Sequence, residues 1–513
     1  MFGLSTITVF TKIFGFVEKT VIAHFFGTTD MADVYFASTG IILSIIWIVR
    51  ELMYPSLLPV FADSLSKQIP VSGSLFRKVF FSAAIFLIAA AMILIFFPSL
   101  VTGTLVPGFA ESKRYLTADL LRLLAPATIF LGLAMVTHTI LNARKKFLKA
   151  AWPDAANKLF IVLGILILVP VLGIYSLALV MGIGGFGCLI IQLYYIPERS
   201  FLFKKEYSSD GTEYFKKVLL LMGPLVVGVI FSHISGLVDN LLASTLPSGH
   251  LSYLGYSKKL IDALLLIGPV ALVTVVYSHL SHLASAGELE KFRNLVARTL
   301  RLLLYLSIPV ACLLTGLKQP IIRFLFQRGE FSTTSTFDTS RAFMIYAIGF
   351  TTFSLEILFV HSFFALKDTK TPVIYGIACV CLDIVFAIVL LRPLGYLGIA
   401  GALVISKTIK IIALGTALDK RLCGLFDVKI IPFALKIAVT SCMVWLVLKI
   451  LLGINNSDTF VNTFTFDLLL PSTGALLVFI TCSYLLRIDE FKAMISLIRH
   501  RKAAVGVLYE EPK

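Results

Sequence analysis

At 513 residues, 58% hydrophobic and 14% charged, with a mean hydropathy of +0.93, the chain is too apolar for a soluble protein of its length. A net charge of +16 would suggest nucleic acid in a soluble chain, but here the basic residues lie in short connections between apolar runs, which is a signature of topology. Seven cysteines, scattered through those runs or beside them, form neither a disulfide frame nor metal-ligand spacing.

Apolar windows of roughly 20 residues, each long enough to cross about 30 Å of hydrocarbon, recur along the chain. Fourteen are predicted, near 4–26, 33–61, 77–101, 118–142, 152–172, 174–196, 217–246, 251–284, 297–317, 339–366, 371–391, 397–418, 431–453 and 467–487. The fold class is therefore an all-α polytopic membrane protein. The first span starts almost at Met1, with no basic n-region or small-residue cleavage site before a mature domain, so it is expected to be retained.

The first two spans carry charges that a lipid-facing helix does not tolerate. Lys12, Glu18 and Lys19 interrupt the first, Asp33 opens the second, and Arg50 and Glu51 lie deep within it. An ionisable group in a span costs a few kcal/mol or more, so these groups are expected to face a polar cavity or a partner. Lys12 and Lys19 are seven apart and share a helical face, and Gly15 between them leaves room for close approach.

Connections after the even-numbered spans are rich in Lys and Arg, as in Arg144, Lys145, Lys146 and Lys149, or Lys420, Arg421 and Lys429. These are predicted to be cytoplasmic, with both termini inside. Lys67, Lys204 and Lys205 belong to the same set. The tail from Asp489 to Lys513, with Lys492, Arg499, Arg501 and Lys502 among Phe491, Ile495 and Ile498, reads as a short basic surface helix.

Two further acids stand in spans, Asp239 in the seventh and Asp383 in the eleventh, with no Lys or Arg near them in their own helices. A buried carboxylate of this kind takes up a proton, holds a cation, or pairs across the bundle, as Asp239 would with Lys258 or Lys259. Ser406 in the twelfth span offers a hydroxyl to such a cation. His138 and His361 sit at cytoplasmic span ends, where packing is the simpler role. His279 and His282 share a face without a third firm ligand, so no transition-metal site is expected. There is no Gly-x-x-x-x-Gly-Lys-Ser/Thr loop, which argues against a primary pump, and no hydrolase constellation.

An internal repeat runs through the chain. Phe76-Arg77 is matched by Phe292-Arg293, Gly108-Phe109 by Gly329-Glu330-Phe331, and His138 with its following Asn142 to Lys145 and Pro153 by His361 with Ala365 to Asp368 and Pro372. Two six-helix lobes of equal orientation, 1–210 and 211–425, fit these spacings, followed by two extra helices at 426–488 and the tail at 489–513. Parallel repeats of this kind are a transporter architecture with the substrate path between the halves.

The run from Phe10 to Lys19, then Phe26-Gly27 and Asp33 to Phe36, resembles the start of the MurJ (MviN) family of lipid II flippases, in the multidrug/oligosaccharidyl-lipid/polysaccharide exporter superfamily. The likeness continues in Gly223-Pro224, in Tyr256 to Leu260, in Leu325 to Phe331 and in Asp368 to Pro372. The resemblance implies fourteen helices in two lobes and alternating access. It also implies transfer of an undecaprenyl-diphosphate-linked glycan to the outer leaflet of a bacterial cytoplasmic membrane, a transporter's work and not an enzyme's. A diphosphate on a long apolar chain requires cations in a hydrated cavity and an apolar groove, for which 426–488 is the candidate.

By that resemblance Lys12, Lys19 and Lys259 are the expected diphosphate contacts, with Lys258 and Arg50 as additions and Glu18, Asp33 and Glu51 lining or gating the cavity. It favours a cation at Asp239, Asp383 and Ser406, with Na+ or H+ as coupling ion and no other cofactor. The protein is expected to be a monomer in contact with membrane lipids and not with nucleic acid. Family members usually carry Arg followed by an acid where this chain has Glu18-Lys19, and lysine lacks arginine's bidentate fork. A capsule or exopolysaccharide lipid-linked oligosaccharide is therefore the competing cargo. A multidrug antiporter and a membrane glycosyltransferase or ligase are the more distant alternatives.

Overall fold

A computed structural model of the protein describes residues 2–65, 69–202, 209–422, 424–425, 430–453 and 463–491. Lys67, Lys204, Lys205 and Lys429, and the basic tail from Lys492 onward, lie outside the described residues. Within those limits the chain is helical, without a strand.

Among the described residues, twelve helices are long and apolar enough to cross a membrane, and a pair bent by 41° at Gly349 passes the same test together, which makes thirteen when the pair is counted as one span. The remaining long helix, Phe2–Phe26, stays outside that set because each 18-residue stretch of it contains Lys12, Glu18 and Lys19. With it, the spans read from the sequence are accounted for in order.

The chain divides into two compact units, one reaching to Ser252 and including Arg328–Ser332, the other comprising Tyr253–Gln327 and residues from Thr333 onward. The first unit contains α1 (Phe2–Phe26), α2 (Asp30–Leu65), α3 (Ile69–Phe96), the short α4 (Pro98–Leu105), α5 (Glu111–Ala143), α6 (Phe147–Leu172), α7 (Tyr175–Tyr194) and α8 (Ser209–Ser244). Its helices pack as α2 on α5 and α8, α5 on α7, and α1 on α6. One buried cluster joins Ile22, Ile42, Leu121, Leu124 and Ile165, and a second joins Phe61, Phe76, Leu87, Leu133 and Ile140.

Next in the chain comes a span of two helices, α9 (His250–Leu265) and α10 (Ala271–Ser285), separated by a π-helical segment, Leu266–Val270, that contains Pro269. Proline lacks the amide needed for the regular ladder, and the helix widens to a π turn there while continuing as one span. The second unit continues with α11 (Leu289–Gly316), α12 (Lys318–Phe326), the bent pair α13 (Thr333–Ile348) and α14 (Phe350–Ala365), then α15 (Lys370–Leu394), α16 (Tyr396–Leu422), α17 (Ile430–Leu452) and α18 (Leu470–Leu485). Here α16 packs on α15 and α14, α11 on α14 and α17, and α17 on α18. Phe292, Leu300, Leu358, Phe363, Leu414 and Leu418 form the main core.

The backbone carries the repeat more clearly than the side chains do. Left-handed residues recur in pairs 222 positions apart: Gly27 and Gly249, Lys145 and Lys367, Gly173 and Gly395. Each pair has φ in the region that L-residues seldom adopt. Phe76 and Phe292 are both completely buried, and short helices, α4 and α12, follow the third and ninth spans. Apolar surface that faces no protein, such as Leu219, Leu220 and Val227 on α8, is what a lipid-facing helix presents.

Candidate functional site

Two charges of the first span, Glu18 and Lys19, are gathered into a cluster in the first unit. Because α1 packs on α6, it brings Glu18 against Lys158. Glu18 is 4% exposed. Its Oε1 accepts hydrogen bonds from Lys19 Nζ at 2.6 Å and the Tyr35 hydroxyl at 3.1 Å, and its Oε2 accepts from Lys158 Nζ at 2.7 Å. Lys19 also donates to the Tyr35 hydroxyl at 2.5 Å and lies over the Tyr35 ring. One carboxylate thus stands between two ammonium groups, leaving one positive charge in excess. Such a cluster can receive an anionic group and, when that group departs, still hold its carboxylate paired.

Among the other residues singled out in the sequence, Lys12 is exposed on α1. Arg50 is exposed and stacks on Trp47 at 4.6 Å, while Glu51 lies 3.6 Å from His233 Nε2. Nothing lies within 4 Å of a Cβ built at Gly15, so that position is open. Asp33 is differently placed: it is buried and bonded on all sides. It accepts from Lys113 Nζ at 2.7 Å, from the backbone amides of Gly249 and Ser252 at 2.8 Å each, and from the Ser252 hydroxyl. Lys113 also meets Asp30 at 2.7 Å. Asp33 therefore ties α2 to α5 and to the turn before α9.

Two glycines set a close approach within the same unit. Gly27, with φ +53°, is so near Glu330 that a Cβ would stand 2.2 Å from its carbonyl oxygen. Gly329, with φ +58°, meets the His24 carbonyl in the same way, and the Glu330 amide donates to that carbonyl at 3.0 Å. The Gly-Glu-Phe run singled out in the sequence is thus a backbone clasp, with Phe331 buried beneath it.

In the second unit, Lys258 is half-buried and Lys259 exposed on α9. The prominent polar feature is a cluster that the sequence reading passed over. Glu356 of α14 accepts from Lys407 Nζ at 2.8 and 2.7 Å and from Lys410 Nζ at 2.6 Å, both on α16. Asp383 of α15 is 2% exposed and accepts from Ser406 Oγ at 3.5 Å. Asp239 is half-buried on α8. His138 Nδ1 lies 3.1 Å from Asp154, whose other oxygen accepts from Gln192, whereas His361 Nδ1 meets only its own helix at the Ile357 carbonyl among the contacts described.

Lys158, Glu356, Lys407 and Lys410 all stand inside apolar windows, so the rule that flagged the first span would have flagged them too. Lys113 lies just outside its window, where nothing in the sequence distinguishes it.

Two units of packed helices with an internal repeat and ion clusters inside the spans have the fold of a polytopic transporter of the multidrug/oligosaccharidyl-lipid/polysaccharide class. Within that class the chain belongs to the lipid II flippase MurJ family, whose description matches residues 22–470. It is 27% identical over 380 residues to a probable lipid II flippase MurJ of Buchnera aphidicola subsp. Schizaphis graminum, covering 72% of this chain and 73% of the relative. It is 26% identical over 412 residues to that of Vibrio cholerae, covering 78% of each. In fold it is similar to a solved lipid II flippase MurJ in an inward closed conformation, with TM-score 0.80, 23% identity, and 95% and 99% of the two chains covered. An inward-facing multidrug resistance MATE transporter is also similar, with TM-score 0.70 and 13% identity, covering 81% of this chain and 95% of the other. The family is one of transporters, not enzymes.

Proposed function

We propose that this protein carries a diphosphate-linked polyprenyl glycan, lipid II or a close relative, from the cytoplasmic to the outer leaflet of a bacterial membrane by alternating access. The observation that carries this reading is the family match over residues 22–470, which runs through both units. The chemistry of the first unit is consistent with it. A surplus ammonium beside Glu18 suits a diphosphate, and lysine meets phosphate as a point charge.

Lys12, Lys19 and Lys259, with Lys258 and Arg50, are proposed as the diphosphate contacts. Lys158 joins them because it shares the Glu18 carboxylate and is more exposed than Lys19, 36% against 15% for the side chains. Glu18 and Glu51 are assigned to the cavity, and Asp33 to the closure of its turn. Both termini are placed in the cytoplasm and the protein is taken as a monomer. Transport is driven by the membrane potential or a cation gradient.

The test is flipping in proteoliposomes, comparing lipid II with another undecaprenyl-diphosphate oligosaccharide, with and without an imposed potential. Movement of lipid II is the expected result. Movement of the other lipid alone would reassign the cargo to a capsule or exopolysaccharide precursor, and movement of neither would overturn the reading. Lys19→Ala and Lys259→Ala are each expected to slow flipping while the protein still inserts.

A further inference from the structure

The spacing of Asp383 and Ser406 invites a hard cation such as Na+, which binds through several oxygen ligands. The surroundings do not fit one. Beside Asp383 and the Ser406 hydroxyl stand the Cys379 thiol, a soft group, and the ammonium of Lys407, the residue next to Ser406. Lys407 lies within electrostatic reach of both Asp383 and Glu356. Its Nζ is bonded to Glu356 at 2.7 and 2.8 Å, and Lys410 completes the group at 2.6 Å.

Lys410 Nζ also reaches α15, lying 3.9 Å from the place of a Cβ on Gly376. Three mutually packed helices, α14, α15 and α16, thus bring together two carboxylates and two ammonium groups. Ionised, these four groups sum to zero. Buried charge is tolerated only when compensated, and here two ammonium groups of the same helices stand beside the two carboxylates. A metal cation added at Asp383 would leave a net positive charge and face the repulsion of Lys407.

We propose that Lys407 is a tethered counter-cation: its ammonium supplies, in covalent form, the charge that an alkali cation would otherwise bring to the buried carboxylates of α14 and α15. The second unit then needs no sodium for its integrity, whichever lipid the protein carries and whatever drives its movement.

Thermal unfolding of the purified full-length protein in detergent tests this, with NaCl exchanged for choline chloride at constant ionic strength. The wild type should show no sodium response that depends on Asp383. Lys407→Met should have a lower Tm in choline and recover by roughly 3 °C or more with saturating sodium or lithium, since a ligand that binds only the folded state raises its stability. Lys407→Arg, which keeps the charge, should behave as the wild type. A saturable sodium response of the wild type that Asp383→Asn abolishes overturns the proposal, as does a Lys407→Met protein that folds and ignores sodium. If Lys407→Met does not accumulate, the wild type and Asp383→Asn decide it between them. The readout is stability, so failure here is separable from failure of the flipping assay.

Discussion

Lys158 on α6 donates a 2.7 Å hydrogen bond to Glu18 on α1 across 140 residues of chain, turning an isolated acid in the first span into the centre of an ionic cluster. Removing Lys158 leaves a buried carboxylate with Lys19 as its remaining ammonium. Lys158→Ala should cost about 1–3 kcal/mol, read as a fall in Tm, and should slow flipping. Lys158→Arg should restore stability. If Lys158→Ala is as stable and as active as the wild type, the cluster is incidental.

The Tyr35 hydroxyl lies between Lys19 and Glu18, accepting from one and donating to the other. Tyr35→Phe keeps the ring beneath Lys19 and removes both hydrogen bonds. A loss of about 1–2 kcal/mol is expected, measurable by thermal unfolding, with Lys19 freer to move.

Two glycines of α1 and its end should respond oppositely to alanine. At Gly27 the left-handed backbone alone costs about 1–2 kcal/mol, and the clash with the Glu330 carbonyl adds to it. Gly27→Ala should therefore lower Tm strongly or prevent accumulation. Gly15→Ala, set in a helix with open space around it, should be neutral or up to about 1 kcal/mol stabilising. Equal effects at the two sites would refute the clasp between Gly27 and Glu330.

Asp33 separates a structural role from a gating one. Asp33→Ala leaves Lys113 with Asp30 as its carboxylate partner and leaves two backbone amides unsatisfied, so a loss on the order of 2–5 kcal/mol is expected, seen as poor accumulation or a much lower Tm. A stable variant that fails only in flipping would instead make Asp33 a gate.

Asp368, in the connection between α14 and α15, gives a pH dependence with a defined sign. Burial pushes its carboxyl up, but the Thr371 amide and hydroxyl and the Arg421 guanidinium outweigh burial and hold it below the usual carboxylate range. A group depressed in the folded state contributes stability above its unfolded pKa, about 4, and loses it as pH falls through the folded value. Tm should therefore drop between about pH 5 and pH 3, and Asp368→Asn should flatten that part of the curve. A profile unchanged by the substitution would show that Asp368 does not set it.

The limits of the sequence are clear at particular residues. Glu18, Lys19 and Asp33 stand out as charges in apolar runs, and the structure places Glu18 and Asp33 in ionic clusters. That Asp33 meets Lys113 and the turn before α9, while Glu18 meets Lys158, was not legible, because the partners come from other helices. Lys407 and Glu356 carried the same local signal, lying in the twelfth and tenth spans. The pairing partner of Glu356 is 51 residues away in the chain and next to it in space.

By itself, the sequence determined the spans, their order, the repeat and the presence of charges where lipid cannot accept them. Hydropathy, charge placement and the spacing of matched short motifs are properties of short stretches, so they can be read along one chain. Tertiary structure alone decided which charges compensate which. That choice depends on how helices rotate and pack against one another, and a difference of one residue in facing turns an ammonium from a counter-ion into a ligand for something else. The Glu18–Lys158 and Glu356–Lys407 pairs exist because α1 packs on α6 and α14 on α16.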